Sequence, residues 1–372
     1  MTSVSLVKRI KERAADLGLG PVGIAPLAPS DHAGALRRWL DRGLAGTMTW
    51  MQRTAEDSVD LTRRFRWAQS AVVTAQPYLP YRGERRAQGG LLPHVARYAA
   101  GRDYHATIAS RLDKLAAFLE RESPGARTRV YVDTGPVLER ELAARAGLGW
   151  FGKSTNLIAP GGDSWRLLGQ ILTSVALPPD APGADRCGSC TACLDACPTG
   201  AITEPYVVDS NRCISYLTIE LRGRVPAEQH AHLGDWVFGC DVCQEVCPWN
   251  RKVGPADDAP FRPGPHLEGS SLADLVMLDE AGFEARFAGT GLTRPRRQGL
   301  ARNALIVAAN TGDGAALDAA AAALDDPDPV LRSTASRSLL RSGGGEARRL
   351  VARAHARETD GEVRRDMEEA LG

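Results

Sequence analysis

The amino-acid sequence predicts an α+β protein that has an α/β N-terminal domain, a small cysteine-rich domain and an all-helical C-terminal domain. Its eight cysteines all lie between Cys187 and Cys247, with a cysteine-free region on either side. The first region mixes the periodicities of helices and strands, whereas the last is almost entirely helical. We therefore expect domains at residues 1–180, 181–255 and 292–372, with a connecting segment at 256–291.

The N-terminal domain alternates helices and strands along the chain. Apolar residues recur at helical spacing in three segments, Val4–Leu17, Ala33–Arg42 and Tyr104–Glu122. Short β-rich runs occur at Ser70–Ala75, Arg129–Asp133 and Leu167–Val175. The segment Leu177–Gly183 is rich in Pro and Gly, which favour turns over regular structure, and it ends the domain.

The composition excludes several classes of protein. The 372 residues include 46 Lys and Arg against 45 Asp and Glu, a net charge of +1, and 43% are hydrophobic. A uniformly basic coat protein for nucleic acid, an acidic tail protein and a chain too charged to collapse are excluded. No segment approaches ~18 consecutive apolar residues, and the charged start Met1–Leu19 lacks the apolar core of a signal peptide. We expect a cytoplasmic protein without membrane association, in which a regular cysteine array ligates metal.

The cysteine spacing is the strongest chemical pattern in the sequence. The run Cys187-x2-Cys190-x2-Cys193-x3-Cys197-Pro has the bacterial ferredoxin spacing, in which three thiolates hold one [4Fe–4S] cube and the fourth ligates a second. A second set ends in the same Cys-x3-Cys-Pro pattern. The economical assignment is crossed: Cys187, Cys190, Cys193 and Cys247 hold cluster 1, and Cys197, Cys213, Cys240 and Cys243 hold cluster 2. Two zinc sites are the alternative, but the repeated Cys-x3-Cys-Pro endings favour a ferredoxin-like double-cluster domain.

A literal match to a nucleotide-binding motif has to be rejected. Gly147–Ser154 fits both G-x-x-x-x-G-K-S and G-x-G-x-x-G. Those motifs need a strand before the glycines and a helix after them. Here the preceding Val137–Ala146 is helical in pattern and the following Thr155–Pro160 is extended, so the glycines are expected to let the backbone approach another large ligand.

Asp133 is the best candidate for a catalytic acid. It ends the predicted strand Arg129–Asp133, ahead of a helix that Thr134 is placed to cap and Pro136 to open. The alternative is an aspartate that only accepts hydrogen bonds from the following turn. His105 stands among aromatic and cationic residues, where a pocket histidine and a structural histidine are both compatible with the pattern.

Three segments of the C-terminal domain resemble one another at intervals of roughly thirty residues, starting at Pro295, Pro329 and Gly361. Paired helices repeated at this scale are typical of HEAT-like repeats, each of which buries its apolar face against a neighbour. An ordinary helical bundle is the alternative.

Arginines of the first repeat form a candidate nucleic-acid contact. Four of them occur with no acidic residue between Thr290 and Gly312, namely Arg294, Arg296, Arg297 and Arg302. Arg332, Arg337 and Arg341 follow in the next repeat. Stacked repeats would align these side chains into a stripe that suits a phosphate backbone, whereas a solvated helix face is the alternative.

Together these motifs resemble the epoxyqueuosine reductases. The resemblance covers essentially the whole chain and combines the cysteine motif with Tyr98-x5-Tyr104-His105, Val132–Pro136, Gly147–Ile158 and Arg302–Leu305. It implies a cobalamin-dependent enzyme that reduces epoxyqueuosine to queuosine at the wobble position of the tRNA anticodon. The two clusters would feed electrons to the cobalt, and its Co(I) form would attack the strained ring. Asp133 would then protonate the departing oxygen, with a pKa raised in the cofactor-covered pocket.

The resemblance also implies where the cofactor and partners bind. The cobalamin contacts carried over by motif are Arg97, Asp133, Ser154, Asn156, Leu157, Ser164, Leu168, Ser215, Cys240 and Asp241. No cobalt-ligating Asp-x-His-x-x-Gly motif occurs, so no protein axial ligand is expected. The implied partners are the RNA substrate and an external flavodoxin- or ferredoxin-type electron donor. We expect a monomer, because the sequence contains no long exposed apolar seam.

Two other functions share part of this pattern. A reductive dehalogenase-like cobalamin enzyme would act on a small molecule, but the helical repeats and the absence of an export signal argue against it. A ferredoxin-type electron carrier would use its repeats to dock a protein. Cobalamin absorbance beside that of the iron–sulfur clusters would exclude the carrier.

Overall fold

The structure is a computed structural model that describes residues 3–372, and the chain folds into two compact units. The first comprises the chain up to Arg82, Asp103–Asn211 and Val242–Phe261, and the second comprises Gly83–Arg102, Arg212–Asp241 and Arg262–Gly372. Met1 and Thr2, which begin the predicted domain 1–180, lie outside the described residues. The boundaries at residues 180, 255 and 291 stay predictions.

The first unit is organised around a four-stranded sheet. The strands of the described chain are β1 (Val22–Pro26), β2 (Ser70–Pro77), β3 (Thr128–Tyr131), β4 (Trp150–Phe151), β5 (Leu157–Ile158), β6 (Arg166–Thr173), β7 (Ile202–Glu204) and β8 (Val207–Val208). The main sheet has the order β1-β2-β6-β3, while β4 pairs with β5 and β7 pairs with β8. The three strands predicted from sequence are confirmed as β2, β3 and β6, with ends that differ by no more than two residues.

The pairing corrects the predicted α/β type of the N-terminal domain. Every pair in the main sheet is antiparallel, whereas α/β domains have mostly parallel sheets. The hydrophobic run in β2 arises because residues on both of its faces are buried, a pattern that parallel and covered antiparallel strands share. The unit is therefore a mixed α+β structure. Its register places Tyr131 of β3 opposite Gln170 of β6.

Helices alternate with these strands along the described chain. Along the chain they are α1 (Ser3–Asp16), α2 (Ala33–Asp41), α3 (Thr49–Val59), α4 (Leu61–Arg64), α5 (Tyr104–Glu122), α6 (Glu139–Arg145), α7 (Ala192–Asp195), α8 (Ile214–Ile219) and α9 (Val242–Glu245). Of these, α8 belongs to the second unit.

Helix α5 confirms its predicted bounds and presents its first turn to the candidate site. Its fully buried side chains Ile108, Leu112, Leu115 and Leu119 recur at helical spacing. Burial of such a side chain stabilises the fold by about 1.5–3 kcal/mol. Asp103 caps the helix by accepting the N–H of His105 at 2.9 Å, so the start of α5 is fixed.

The C-terminal part of the second unit is helical. It contains α10 (Leu272–Met277), α11 (Glu280–Phe287), α12 (Arg296–Thr311), α13 (Gly314–Ala322), α14 (Pro329–Ser342), α15 (Gly345–Arg357) and α16 (Gly361–Leu371). The three segments that resemble one another in sequence form α12, α14 and α16. Among the described residues, no helix is both long enough and apolar enough to span a membrane.

Arginine–carboxylate ion pairs connect helices at two points of this region. Arg297 of α12 pairs with Asp326, which lies between α13 and α14. Arg332 of α14 pairs with Glu358, which lies between α15 and α16. Each arginine thus holds the start of the next helix in the α12, α14, α16 series.

Candidate active site

Asp133 follows β3 by two residues and leaves 63% of its side chain exposed. Its φ of +52° is a left-handed conformation, which costs a residue with a Cβ about 1–2 kcal/mol. Gly135 continues the turn against Tyr131, since a Cβ at position 135 would lie 2.3 Å from Cδ1 of that ring. Helix α6 begins only at Glu139. The predicted roles of Thr134 as cap and Pro136 as first helical residue are therefore wrong.

The start of α5 supplies two partners to the Asp133 carboxylate. Tyr104 donates its hydroxyl proton to Oδ2 at 2.6 Å. His105 places Nε2 at 3.7 Å from the same oxygen, and its Nδ1 lies 2.7 Å from Asp103. The rings of Tyr104 and His105 stack with centroids 4.0 Å apart.

These contacts set the protonation of the site. Desolvation lowers the pKa of His105, but Asp103 and Asp133 outweigh it and raise the pKa to about 9. For Asp133, desolvation acts to raise the pKa, yet the positive charge of His105 and the hydrogen bond from Tyr104 bring it below its ordinary value. The raised pKa that the resemblance implies for Asp133 is thus opposed by the protein's own groups. At neutral pH the imidazolium of His105 carries the proton.

Glu139 is a part of the site that the sequence did not reveal. Its Oε1 accepts the backbone N–H of Asp133 at 2.7 Å and Nε2–H of Gln170 at 2.8 Å. Desolvation, followed by the charge of Asp133, raises the pKa of Glu139 to about 7. In the sequence it is one of two glutamates in the first turn of a helix, and nothing there marks it as different from the other.

The predicted cofactor residues after Gly152 lie beside Cys243, one of the cysteines predicted to hold cluster 2. Asn156 donates from Nδ2 to Oγ of Ser154 at 3.2 Å and to Sγ of Cys243 at 3.5 Å. Thr155 between them has a φ of +67°, which forms the turn. Leu157 is buried in β5.

Ser164 and Leu168 lie at the β6 side of the same unit. Ser164 is buried, donates its N–H to Oδ1 of Asn250 at 2.8 Å and donates its hydroxyl proton to Oε1 of Gln244 at 3.0 Å. Leu168 is half-buried and shares a face of β6 with Gln170, because alternate residues of a strand point the same way.

The second unit holds the remaining predicted contacts. Arg97 is buried, and both its backbone N–H and its Nη1 donate to Oδ2 of Asp241, at 2.8 and 3.3 Å. The structure therefore brings Arg97 and Asp241 together, next in sequence to Cys240. Ser215 lies half-buried in the first turn of α8, after Cys213.

The cysteines assigned to cluster 1 lie close together in the first unit. The thiol of Cys193 has its pKa raised by desolvation and by the charges of Cys247, Cys187 and Cys190. Within residues 3–372, no three His, Cys, Asp or Glu side chains converge as ligands of a single metal ion.

The cysteines assigned to cluster 2 are divided between the units. Cys197 and Cys243 lie in the first, and Cys213 and Cys240 lie in the second. The thiol sulfur of Cys197 accepts the backbone N–H of Ala201 at 3.3 Å. Hydrogen bonds to sulfur are among the features that tune iron–sulfur clusters.

Lys153 explains part of the rejected nucleotide motif. Its ammonium donates to the carbonyl oxygens of Gly188 at 2.6 Å and Cys190 at 2.9 Å. The glycine-rich segment is therefore hydrogen-bonded to the first cysteine loop through Lys153. The glycine at position 149 is followed by strand β4, whereas a phosphate-binding loop would be followed by a helix.

The structure corrects the predicted RNA contact of Arg302. This side chain is fully buried and donates to the carbonyl oxygens of Leu217, Leu221 and Gly223 at 2.6–3.0 Å. A guanidinium without solvent access cannot reach a phosphate. Arg302 instead donates to the Leu217 carbonyl in the last turn of α8 and to two carbonyl groups of the segment that follows this helix, where the helix dipole favours a cation.

The other three predicted RNA contacts differ in their surroundings. Arg297 is held in its ion pair with Asp326, and only 13% of its side chain is exposed. Arg294 forms a bidentate pair with Glu220 at 2.9 Å but remains 56% exposed. Arg296 is exposed at the start of α12, and of the four it is the one best placed to meet a solvent-borne phosphate.

Comparison with known proteins identifies the family. A model described as "Epoxyqueuosine reductase QueG, DUF1730" matches residues 59–134, and one described as "4Fe-4S double cluster binding domain" matches residues 186–250. The epoxyqueuosine reductase of Vibrio cholerae is 38% identical over 307 residues, which cover 82% of this chain and 83% of that protein.

Solved structures of epoxyqueuosine reductases match the fold of this chain along its whole length. An epoxyqueuosine reductase with an epoxyqueuosine-modified tRNA-Tyr stem loop matches with a TM-score of 0.91 and 28% identity, covering 100% of this chain and 99% of that one. The Bacillus subtilis epoxyqueuosine reductase, with its catalytic aspartate loop swung out of the active site, matches with a TM-score of 0.89, 28% identity and the same coverage. By both criteria, the present chain belongs to the epoxyqueuosine reductase family.

Proposed function

We propose that this protein reduces epoxyqueuosine to queuosine in the anticodon of tRNA. The observation that carries the proposal is the exposed Asp133 carboxyl group, held by Tyr104 and His105 at the end of β3. The reaction converts an epoxide into an alkene and water, which takes two electrons and two protons. The substrate assignment is supported by the relative whose structure holds an epoxyqueuosine-modified stem loop.

Two [4Fe–4S] clusters would supply the electrons one at a time. We propose Cys187, Cys190, Cys193 and Cys247 as ligands of cluster 1, which is supported by the mutual charge effects of these thiols. We propose Cys197, Cys213, Cys240 and Cys243 for cluster 2. The donor set suits iron, since eight thiols within a double-cluster domain are all free of disulfides.

Cobalamin would supply a strongly reducing cobalt centre that reacts with the epoxide. The residues of the first unit suit such a cofactor: Ser154 and Asn156 offer polar groups for its carboxamides, and half-buried Leu168 offers apolar contact. Leu157 and Ser164 are buried in the same unit, and we propose that they support the residues that contact the cofactor. In the second unit we assign contacts to Arg97, Ser215, Cys240 and Asp241.

Asp133 would deliver a proton to the departing epoxide oxygen. Its low pKa means that it spends little time protonated by itself. His105 is protonated at neutral pH and lies 3.7 Å away, so it is placed to return a proton to the carboxylate after each donation. The catalytic aspartate loop recorded for the Bacillus subtilis relative supports this role.

The helical region at 292–372 would hold the RNA around the modified base. We propose that it is a HEAT-like repeat array, which is supported by the formation of α12, α14 and α16 from the three segments that resemble one another. Arg294 and Arg296 are the proposed phosphate contacts. Arg297 is proposed to stabilise this region through its ion pair with Asp326. Chemistry on one base requires that base to leave its stack while basic groups hold the flanking phosphates.

The protein would act in the cytoplasm as a monomer and take electrons from a flavodoxin- or ferredoxin-type donor. A reducing compartment suits the eight free thiols. Among the described residues, the large exposed hydrophobic side chains are scattered at Val4, Trp50, Tyr206 and Met277.

The test is turnover of an anticodon stem loop that carries epoxyqueuosine. Anaerobically purified protein is incubated with the RNA, cobalamin and a chemical reductant, and the nucleosides are analysed by mass spectrometry. Loss of one oxygen atom from the modified base, dependent on cobalamin, is the expected result. Unchanged nucleoside with fully loaded protein would refute the proposal.

A further inference from the structure

We propose that Glu139 is a positioning residue that latches the Asp133 loop in its working conformation. The latch is the hydrogen bond from the backbone N–H of Asp133 to the Glu139 carboxylate. The inference rests on the proposed function, because it assigns regulation to the catalytic aspartate.

The Asp133 backbone needs such a restraint. A left-handed non-glycine residue persists where surrounding contacts hold it. Tyr104 holds only the carboxylate end of Asp133, from α5. Glu139 holds the backbone end, from the first turn of α6. The two bonds act on opposite ends of one residue, so the loss of either frees the loop to relax.

The latch is itself anchored to the sheet. Gln170 has no solvent exposure, lies on β6 opposite Tyr131, and donates to the same Glu139 oxygen. Oε1 of Gln170 is buried without a hydrogen-bond partner among the described residues. The amide therefore presents its donor to an ionised Glu139. Protonation of Glu139 would favour the reversed amide, whose oxygen can accept the new proton.

Charged groups around Glu139 make this bond sensitive to pH. Asp133 raises the pKa of Glu139 and Arg140 lowers it, while His105 and Tyr104 act on Asp133 from α5. An ionised carboxylate is a stronger acceptor than a protonated one. The latch is therefore firmest when Glu139 is ionised and loosens as it gains a proton.

The first measurement is hydrogen exchange of the backbone amides at 132–135 in the cluster-loaded, full-length protein. Glu139→Met removes the acceptor, and we expect exchange of the Asp133 amide to rise about 5- to 10-fold, as for one lost hydrogen bond. Glu139→Gln keeps an oxygen acceptor and should retain most of the protection. Glu141→Gln is the matched control in the same helix turn, since Glu141 bonds Ser30 and Asp31 instead. Unchanged exchange in a folded Glu139→Met protein would overturn the latch.

The second measurement is the pH profile of turnover on the modified stem loop. Glu139→Gln removes the titrating group but keeps an oxygen acceptor, so it should flatten the part of the profile near neutral pH and keep most of kcat. Glu139→Met should lower kcat while KM for the RNA stays within about twofold, as expected for lost positioning. An unchanged profile would also overturn the proposal. Should wild-type protein lack turnover while the exchange result holds, the proposed function fails and the latch stands.

Discussion

Replacement of Arg302 by methionine separates a structural role from RNA binding. Arg302 projects from α12 and carries a charge without solvent access, and desolvation lowers the pKa of its guanidinium to about 10. It therefore stays protonated at neutral pH. Its donors reach the carbonyl oxygens of Leu217, in the last turn of α8, and of Leu221 and Gly223 in the segment that follows it.

The cost follows from these contacts. Methionine fills a similar volume but donates no hydrogen bond, so three carbonyl groups lose their donor at about 1–3 kcal/mol each. Local relaxation and water recover part of this, so the net loss expected in the free energy of unfolding is roughly 3–5 kcal/mol, at the upper end for a single substitution. Because α8 begins directly after Cys213, we also expect loss of iron from cluster 2.

The assay compares Arg302→Met with Arg296→Met, its exposed neighbour on α12. Urea unfolding and iron content are measured on both, together with the salt dependence of tRNA binding. Arg302→Met should lower the unfolding midpoint and the iron content, and Arg296→Met should change neither. Wild-type stability and iron in Arg302→Met, with a flatter salt dependence, would show that the arginine meets RNA and that the capping argument is wrong.

Four further outcomes are expected. Anaerobically purified protein should contain about eight irons per chain, as two four-iron clusters require, whereas stoichiometric zinc without iron would contradict the cysteine assignment. Asp133→Asn should keep its cofactors and lose about 10²–10⁴-fold in turnover, the usual contribution of a general acid; an undiminished rate would remove Asp133 as proton donor. Reversing the charge of Arg296 should weaken tRNA binding and reduce its salt slope by about one, while equal affinity would return it to an ordinary solvated side chain. The pKa of His105 is raised from 6.5 to about 9, so its ion pairs stabilise the fold fully below pH 6.5, and this stabilisation is lost as pH rises through 9. Thermal melts should therefore show a difference in Tm between wild type and His105→Gln that shrinks over this pH range. A difference that stays constant would contradict the predicted pH dependence.

Much of the chemistry was readable from local spacing. The cysteine pattern can be read directly from the sequence. The sequence also predicts the strand that leads to Asp133 and the bounds of α5, because both depend on residues that are close together in the chain. The antiparallel order of the sheet was not, because strand direction depends on pairings between distant segments. A fully buried strand has the same hydrophobic pattern in either arrangement.

Charged residues show most clearly what sequence patterns cannot distinguish. Arg302 and Arg296 are neighbours in a run without acids, and the sequence offers no reason to treat them differently. Burial against α8 makes one a structural group, while the other stays in solvent.

Residue type and short spacing in the sequence were enough to indicate the family and to nominate the iron–sulfur ligands and the catalytic acid that remain to be tested. The contact of Glu139 with the Asp133 backbone and the burial of Arg302 beside α8 became visible in the folded chain. The physical reason is that hydrogen bonding and desolvation are properties of a three-dimensional environment, and the same side chain is a solvated charge or a buried restraint according to what packs around it.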